Sequence, residues 1–212
     1  MRDDALIKQN RAVQFSLGRF REGALRQMTI KDILHDVTDE LARTFDSLDE
    51  GELEELERRV LSADRVFVAA AGRSLLAIRG FAMRLMHFGY TAYVVGETVT
   101  PAIGKNDLLL IASGSGSTAT LVVIAEKAHA AGAEVALITT RPDSPLGHLA
   151  DHIVHLEAYT AKLPESGIKS VQLGGNTFEQ GVLIVGDAII IHIAGSSAQK
   201  NAELMSRHAN LE

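Results

Sequence analysis

From residue 29 onward, apolar residues recur at three- and four-residue steps: Ile30, Ile33, Leu34, Val37, Leu41 and Phe45. That period predicts an amphipathic helix with Thr29 as its N-cap. A second helix is predicted over residues 48–61, where Glu50, Glu52, Glu54, Glu55 and Glu57 read as a solvated acidic face. The period then changes. Residues 65–71 form a short continuous apolar run, as expected of a strand covered on both faces. The run ends in Gly72-Arg73-Ser74, and a helix is predicted from Leu75 to about Phe88. Further strands are predicted over 91–95, 107–112, 135–139 and 152–156. Residues 96–106 read as irregular, broken by Pro101 and Gly104. Ser113-Gly114-Ser115-Gly116-Ser117-Thr118 leads into a helix ending near residue 131, and a short helix is expected near 145–150. Residues 157–174 are polar and contain Gly and Pro, which predicts a loop. A long apolar helix over 176–193 and a terminal helix over 197–207 complete the chain.

Strand and helix alternating through short connections predict an α/β fold with a five-stranded parallel sheet and right-handed crossovers. No internal repeat or second domain is visible. The chain divides into an extension, 1–27, and one domain, 28–212. The extension carries several Arg and Lys but lacks the apolar stretch and small-residue cleavage site of a secretory signal. It is expected to be a helical or disordered arm, or an upstream start, with Met28 as a sensible initiator.

Composition narrows the chemistry. The 212 residues are 46% hydrophobic and 23% charged, with 5% aromatics and no Trp. The apolar weight is therefore aliphatic and suits close helix–sheet packing. The absence of cysteine excludes disulfides, thiolate catalysis and Cys-ligated zinc. A net charge of -6 argues against nucleic acid as a partner, so any bound anion must be held by local donors. No apolar run is expected to span a bilayer, and the expected location is cytoplasmic.

Ligands of open parallel sheets bind at the carboxyl ends of strands, where loops enter helix N-termini. Ser113-Gly114-Ser115-Gly116-Ser117-Thr118 occupies one such junction. Its glycines admit positive φ and close backbone approach, its hydroxyls donate, and the following helix turns unpaired N–H groups to the same spot. This chemistry suits a phosphate monoester. The sequence lacks the Gly-Lys-Ser/Thr of a P-loop and the third glycine of a dinucleotide fingerprint. Gly72-Arg73-Ser74, at a second junction, sets a cation and a hydroxyl beside a bound anion, or else exposes a surface Arg. Glu179, early in the last long helix, reads either as a pocket carboxylate or as an exposed first-turn acid. His208 lies near the chain end, where a frayed tail is the plain reading. His148, His152 and His155, with Asp151, pass from helix into strand, which scatters their side chains, so neither metal nor cofactor is expected.

Several blocks together carry a family resemblance. They are Ala71-Gly72-Arg73-Ser74, Phe81-Ala82-Met83-Arg84-Leu85-Met86-His87, Gly96-Glu97-Thr98, the Ser/Gly loop 113–118, Thr177-Phe178-Glu179-Gln180 and Arg207-His208-Ala209-Asn210-Leu211. From about Met28 to the last residue the sequence resembles the 6-phospho-3-hexuloisomerases of the sugar isomerase (SIS) domain superfamily. The resemblance implies a three-layer αβα sandwich preceded by N-terminal helices, and a homotetramer with sites at subunit contacts. It implies interconversion of D-arabino-3-hexulose 6-phosphate and D-fructose 6-phosphate through an enediol(ate), in the ribulose monophosphate pathway of formaldehyde assimilation. The substrate is then a phosphorylated ketohexose. Ser113, Gly114, Ser115 and Thr118 would hold its phosphate, and Gly72, Arg73 and Ser74 would line the sugar. Glu179 would shuttle the proton, His208 would complete a site, its own or a neighbour's, and Glu97 would belong to the pocket wall. Family members often carry Pro-Met-Gly-Ser or Pro-Met-Gly-Thr before the Phe-Glu pair, where this chain has Gln172-Leu173-Gly174-Gly175-Asn176-Thr177. The alternatives are a non-catalytic sugar-phosphate-binding SIS protein, or an isomerase of another phosphosugar such as arabinose 5-phosphate.

Overall fold

The computed structural model describes residues 28–159, 169–172, 174, 176–195 and 204–211. The extension 1–27, the middle of the predicted 157–174 loop and most of the predicted terminal helix lie outside the described residues. The chain forms two units, residues 1–36 and 37–212. In the first, Thr29 and Asp32 cap helix α1 (Ile30–Asp46) reciprocally: the Asp32 N–H donates to Thr29 Oγ1 at 3.1 Å, and the Thr29 N–H donates to Asp32 Oδ2 at 2.9 Å. The cap stands where the sequence predicts it.

The second unit holds the sheet. Helix α2 (Glu50–Ser62) is capped by Asp49, whose Oδ1 accepts from the Glu52 N–H at 3.0 Å, and it buries Leu56 and Val60. Then follow β1 (Val66–Ala70), α3 (Arg73–His87), β2 (Ala92–Val94), β3 (Leu108–Ala112) and α4 (Ala119–Ala130). The order continues with β4 (Glu134–Thr139), a 3₁₀ turn (Gly147–Leu149), β5 (His152–His155) and α5 (Asn176–Ala194). Every pairing is parallel, in the order β2-β1-β3-β4-β5, with β3 central and buried throughout.

Alternation along the strands sorts the core into two layers. Val66, Val68, Leu108, Leu110 and Ile138 face α2, α3 and α5, whereas Phe67, Ala69, Leu109, Ile111 and Leu137 face α4 and Leu146. Helices thus cover both faces, which is the three-layer αβα sandwich.

Four expectations need correction. The helix after β1 starts at Arg73, not Leu75, which places Arg73 and Ser74 in its first turn. The short helix expected near 145–150 is a single 3₁₀ turn. The acidic face of α2 is not merely solvated: Glu52 accepts from the His155 N–H at 2.7 Å, and Glu57 pairs with His192 of α5. Finally, α5, with 19 residues, is long and apolar enough by length and composition to cross a membrane. Packing accounts for that apolarity, since Phe178, Val182, Val185, Ile189 and Ile190 enter the core at helical spacing.

Candidate active site

In this strand order the chain leaves β1 for one edge through β2 and returns through β3 on the other side of β1. The helices after β1 and β3 lie on opposite faces, so the loops at the two carboxyl ends part and leave a crevice. A cavity of about 280 Å³ occupies it. Eight of the residues picked out in the sequence meet in its wall: Gly72, Arg73, Ser74, Ser113, Gly114, Ser115, Thr118 and Glu179.

The Ser/Gly loop is held from below. The Ser113 N–H donates to the Ile138 carbonyl at 3.0 Å, which extends the sheet pairing by one residue. The Gly116 N–H closes a turn onto the Ser113 carbonyl at 3.1 Å, with Gly116 at φ +60°. The Gly116 carbonyl accepts from the Leu146 N–H at 2.9 Å, and the Gly114 carbonyl accepts from Thr140 Oγ1 at 2.7 Å. A methyl group on Gly114 would stand 3.3 Å from the Phe178 ring, a tight contact, so α5 packs closely on the loop at this glycine. Thr118 is the N-cap of α4 in extended conformation, and its side chain makes no capping hydrogen bond. That hydroxyl, the loop amides and the helix N-terminus form a donor-rich, uncharged cradle of the kind that binds phosphate.

Glu179 comes from the first turn of α5 and Arg73 from the first turn of α3; the Arg73 Nε donates to Glu179 Oε1. The two side chains differ in exposure, with 14% of Glu179 and 63% of Arg73 accessible. They are the only charged residues among the described ones lining the cavity. One carboxylate, bonded to a guanidinium, therefore shares the cavity wall with the Ser/Gly loop.

Glu97 and His208 are not in this wall. Glu97 pairs with Arg79 at 3.2 Å on the exposed outer turn of α3. His208 stacks on His87 with ring centroids 5.3 Å apart and planes 22° apart, and Arg207 Nη1 donates to the His87 carbonyl at 3.2 Å. His87 ends α3, so His208 lies about 20 Å from the cavity at that helix's other end, at 1.5 Å per residue. The buried His87 ring is held below the ordinary histidine pKa by desolvation, and then by the Arg84 and His208 charges; among the described residues its Nδ1 has no hydrogen-bond partner. His148, His152 and His155 go separate ways: His148 Nε2 meets Asp143 at 3.0 Å, and His152 Nε2 meets the Glu52 carbonyl at 2.8 Å. Among the described residues no group of three or more potential ligands converges.

The sequence reading missed Phe178 and Leu121 as lining residues, although Phe178 lies inside the quoted Thr177–Gln180 block. It also missed Glu40, which is buried on α1 and bonded to Thr177. Its one visible sign is an acid at helical spacing from Val37 and Thr44.

Fold and site together define a SIS domain, and the SIS domain family model matches residues 60–173. A 3-hexulose-6-phosphate isomerase of Mycobacterium gastri is 47% identical over 176 residues, covering 83% of this chain and 88% of that one. One of Bacillus subtilis is 35% identical over 185 residues, covering 87% and 100%. The chain belongs to the 3-hexulose-6-phosphate isomerase family. Among solved structures, a hypothetical protein of Methanococcus jannaschii, for which a 3-hexulose-6-phosphate isomerase function was inferred, superposes with a TM-score of 0.70. It is 33% identical over 85% of this chain and 99% of that one.

Proposed function

We propose that the chain is a 3-hexulose-6-phosphate isomerase, interconverting D-arabino-3-hexulose 6-phosphate and D-fructose 6-phosphate. The observation that carries this reading is the meeting of Glu179, Arg73 and the Ser113–Thr118 loop in one crevice. The phosphate is bound by the loop amides and by the Ser113, Ser115 and Thr118 hydroxyls, while Gly72 and Ser74 flank the sugar chain. In the direction of fructose 6-phosphate, Glu179 takes the proton from C2 and the electron pair forms the C2=C3 bond. The C3 carbonyl oxygen becomes the enediolate oxygen beside the Arg73 guanidinium. The C3 oxygen gains a proton, the C2 hydroxyl loses one, and Glu179 returns its proton to C3, leaving the carbonyl at C2. A base serving two adjacent carbons needs one position and one carboxylate.

The reading includes a homotetramer in which His208 serves a neighbouring subunit's site. Exposed apolar residues on the two packed helices α3 and α5 support an assembly surface: Leu76, Met83 and Met86 on one, Leu183 and Ile191 on the other. The reading further takes the chain as a cytoplasmic enzyme of formaldehyde assimilation.

The test couples the chain to hexulose-phosphate synthase, ribulose 5-phosphate and formaldehyde, and follows fructose 6-phosphate. Glu179→Gln is expected to lower kcat about 10²–10⁴-fold, the range of general acid–base catalysis, with fructose 6-phosphate binding retained. Undiminished turnover removes Glu179 from the mechanism. Binding without any turnover in the unmodified chain favours a non-catalytic sugar-phosphate binder.

A further inference from the structure

Glu40 is a buried carboxylate for which the reaction above has no use, with only 5% of its surface exposed. Taking an ionised carboxylate out of water costs several kcal/mol, roughly, unless donors replace the lost water. Its donors are the Thr177 hydroxyl, on Oε1, and the Val171 N–H, 3.1 Å from Oε2. Both belong to the junction that delivers Glu179. Val171 lies in the segment arriving at α5, and the fully buried Thr177 is in that helix's first turn, two residues before Glu179. Gln172 completes the strap: its Nε2 donates to Thr177 Oγ1 at 3.3 Å and to Gln180 Oε1 at 2.9 Å. Bonds therefore hold the chain on both sides of Glu179.

From this geometry we infer that Glu40 is a positioning residue for Glu179, fixing through Thr177 the rotation of the first turn of α5 so that the carboxylate faces the sugar carbons. The inference rests on the isomerase reading of the cavity. Misplacing a catalytic group by about 1 Å costs on the order of 10²-fold in rate, so the strap acts on turnover more than on binding. The phosphate loop makes no bond to Glu40, so affinity for the anion is left in place.

The experiment compares Glu40→Gln, Thr177→Val, Thr177→Ser and the Glu40→Gln/Thr177→Val pair with the unmodified chain and Glu179→Gln in the coupled assay, well below each melting temperature. Thr177→Val is expected to lower kcat at least about tenfold with KM within about twofold. Thr177→Ser, which keeps the hydroxyl, is expected to restore kcat to within about twofold of the unmodified chain. Glu40→Gln keeps one oxygen that can accept from Thr177, so it is expected to lose no more than Thr177→Val, and the pair to lose less than the product of the two single losses, because both variants touch the Glu40–Thr177 bond. A folded Thr177→Val with unchanged kcat, or additive losses in the pair, overturns the inference, because a purely structural strap would lower the melting temperature alone. Should Glu40→Gln fail to fold, Thr177→Val against Thr177→Ser decides. Absence of turnover in the unmodified chain removes the isomerase reading and this inference with it. Turnover that Glu179→Gln abolishes and Thr177→Val leaves intact removes this inference alone.

Discussion

Replacing Gly116 by alanine tests the anion loop at its tightest point. Gly116 sits at φ +60°, where an L side chain costs about 1–2 kcal/mol. Its new methyl would also stand 2.0 Å from Ser144 Oγ and 2.5 Å from Ser144 Cβ. Rotating Ser144 moves Oγ but not Cβ, and Oγ already accepts from the Gly147 N–H at 3.1 Å. Relieving such an overlap by backbone shift costs about 1–3 kcal/mol. The sum is about 2–5 kcal/mol, and at roughly 2–4 °C per kcal/mol for a domain of this size the melting temperature falls by roughly 4–20 °C. Thermal and urea unfolding followed by circular dichroism measure it, and KM for the phosphosugar is expected to rise as the loop amides are pushed aside. Gly72→Ala separates the two contributions: Gly72 has φ +60° and ψ −138° but open space around it, so it reports strain without overlap. Adding Ser144→Gly removes both overlapping atoms and is expected to recover about 1–3 kcal/mol relative to additivity with Gly116→Ala, and none with Gly72→Ala. A Gly116–Ser144 coupling below about 0.5 kcal/mol would refute the reasoning.

Two histidines should titrate in opposite directions. His87, held below its ordinary value of 6.5 by burial, stays neutral where the unfolded chain takes up a proton, so its contribution to stability falls as pH drops below 6.5. A ring titration by NMR with its midpoint at or above 6.5 contradicts this. His192 is raised above 6.5 by its bond to Glu57, so its stabilising contribution is complete below 6.5 and disappears as pH rises through the folded value. Glu57→Gln should return that midpoint towards 6.5. Arg65→Met strips the buried Asp107 of its cation, while the Gly104 N–H still donates to Asp107 Oδ2 at 2.7 Å. Because Arg65 is one-third exposed, the expected loss in urea unfolding is about 2–3 kcal/mol, below the fully buried range.

The central strands and most helices were legible because both sheet faces are covered there, so β1, β3 and the middle of β4 are continuous apolar runs. The Ser/Gly loop was legible because its residues are small and hydroxylated at a strand–helix junction. Glu179 was visible only as an acid in a helix's first turn. What gives it meaning, the bond from Arg73, joins residues over a hundred positions apart, and periodicity carries no such information. Glu40 was hidden for a related reason. In α1 the apolar positions Val37 and Leu41 are only half-buried, while the acid and Thr44 take the buried places. Hydrophobic pattern reports burial of apolar residues and is blind to a partnered carboxylate.

The span matched by the SIS family model, residues 60–173, contains the phosphate cradle but stops before Glu179. On the proposed reading, anion site and base thus come from stretches far apart along the polypeptide, one a loop after the central strand and the other a later helix. That helix also seats Phe178 against Gly114 and fills the core, so exchanging it would disturb the loop together with the carboxylate.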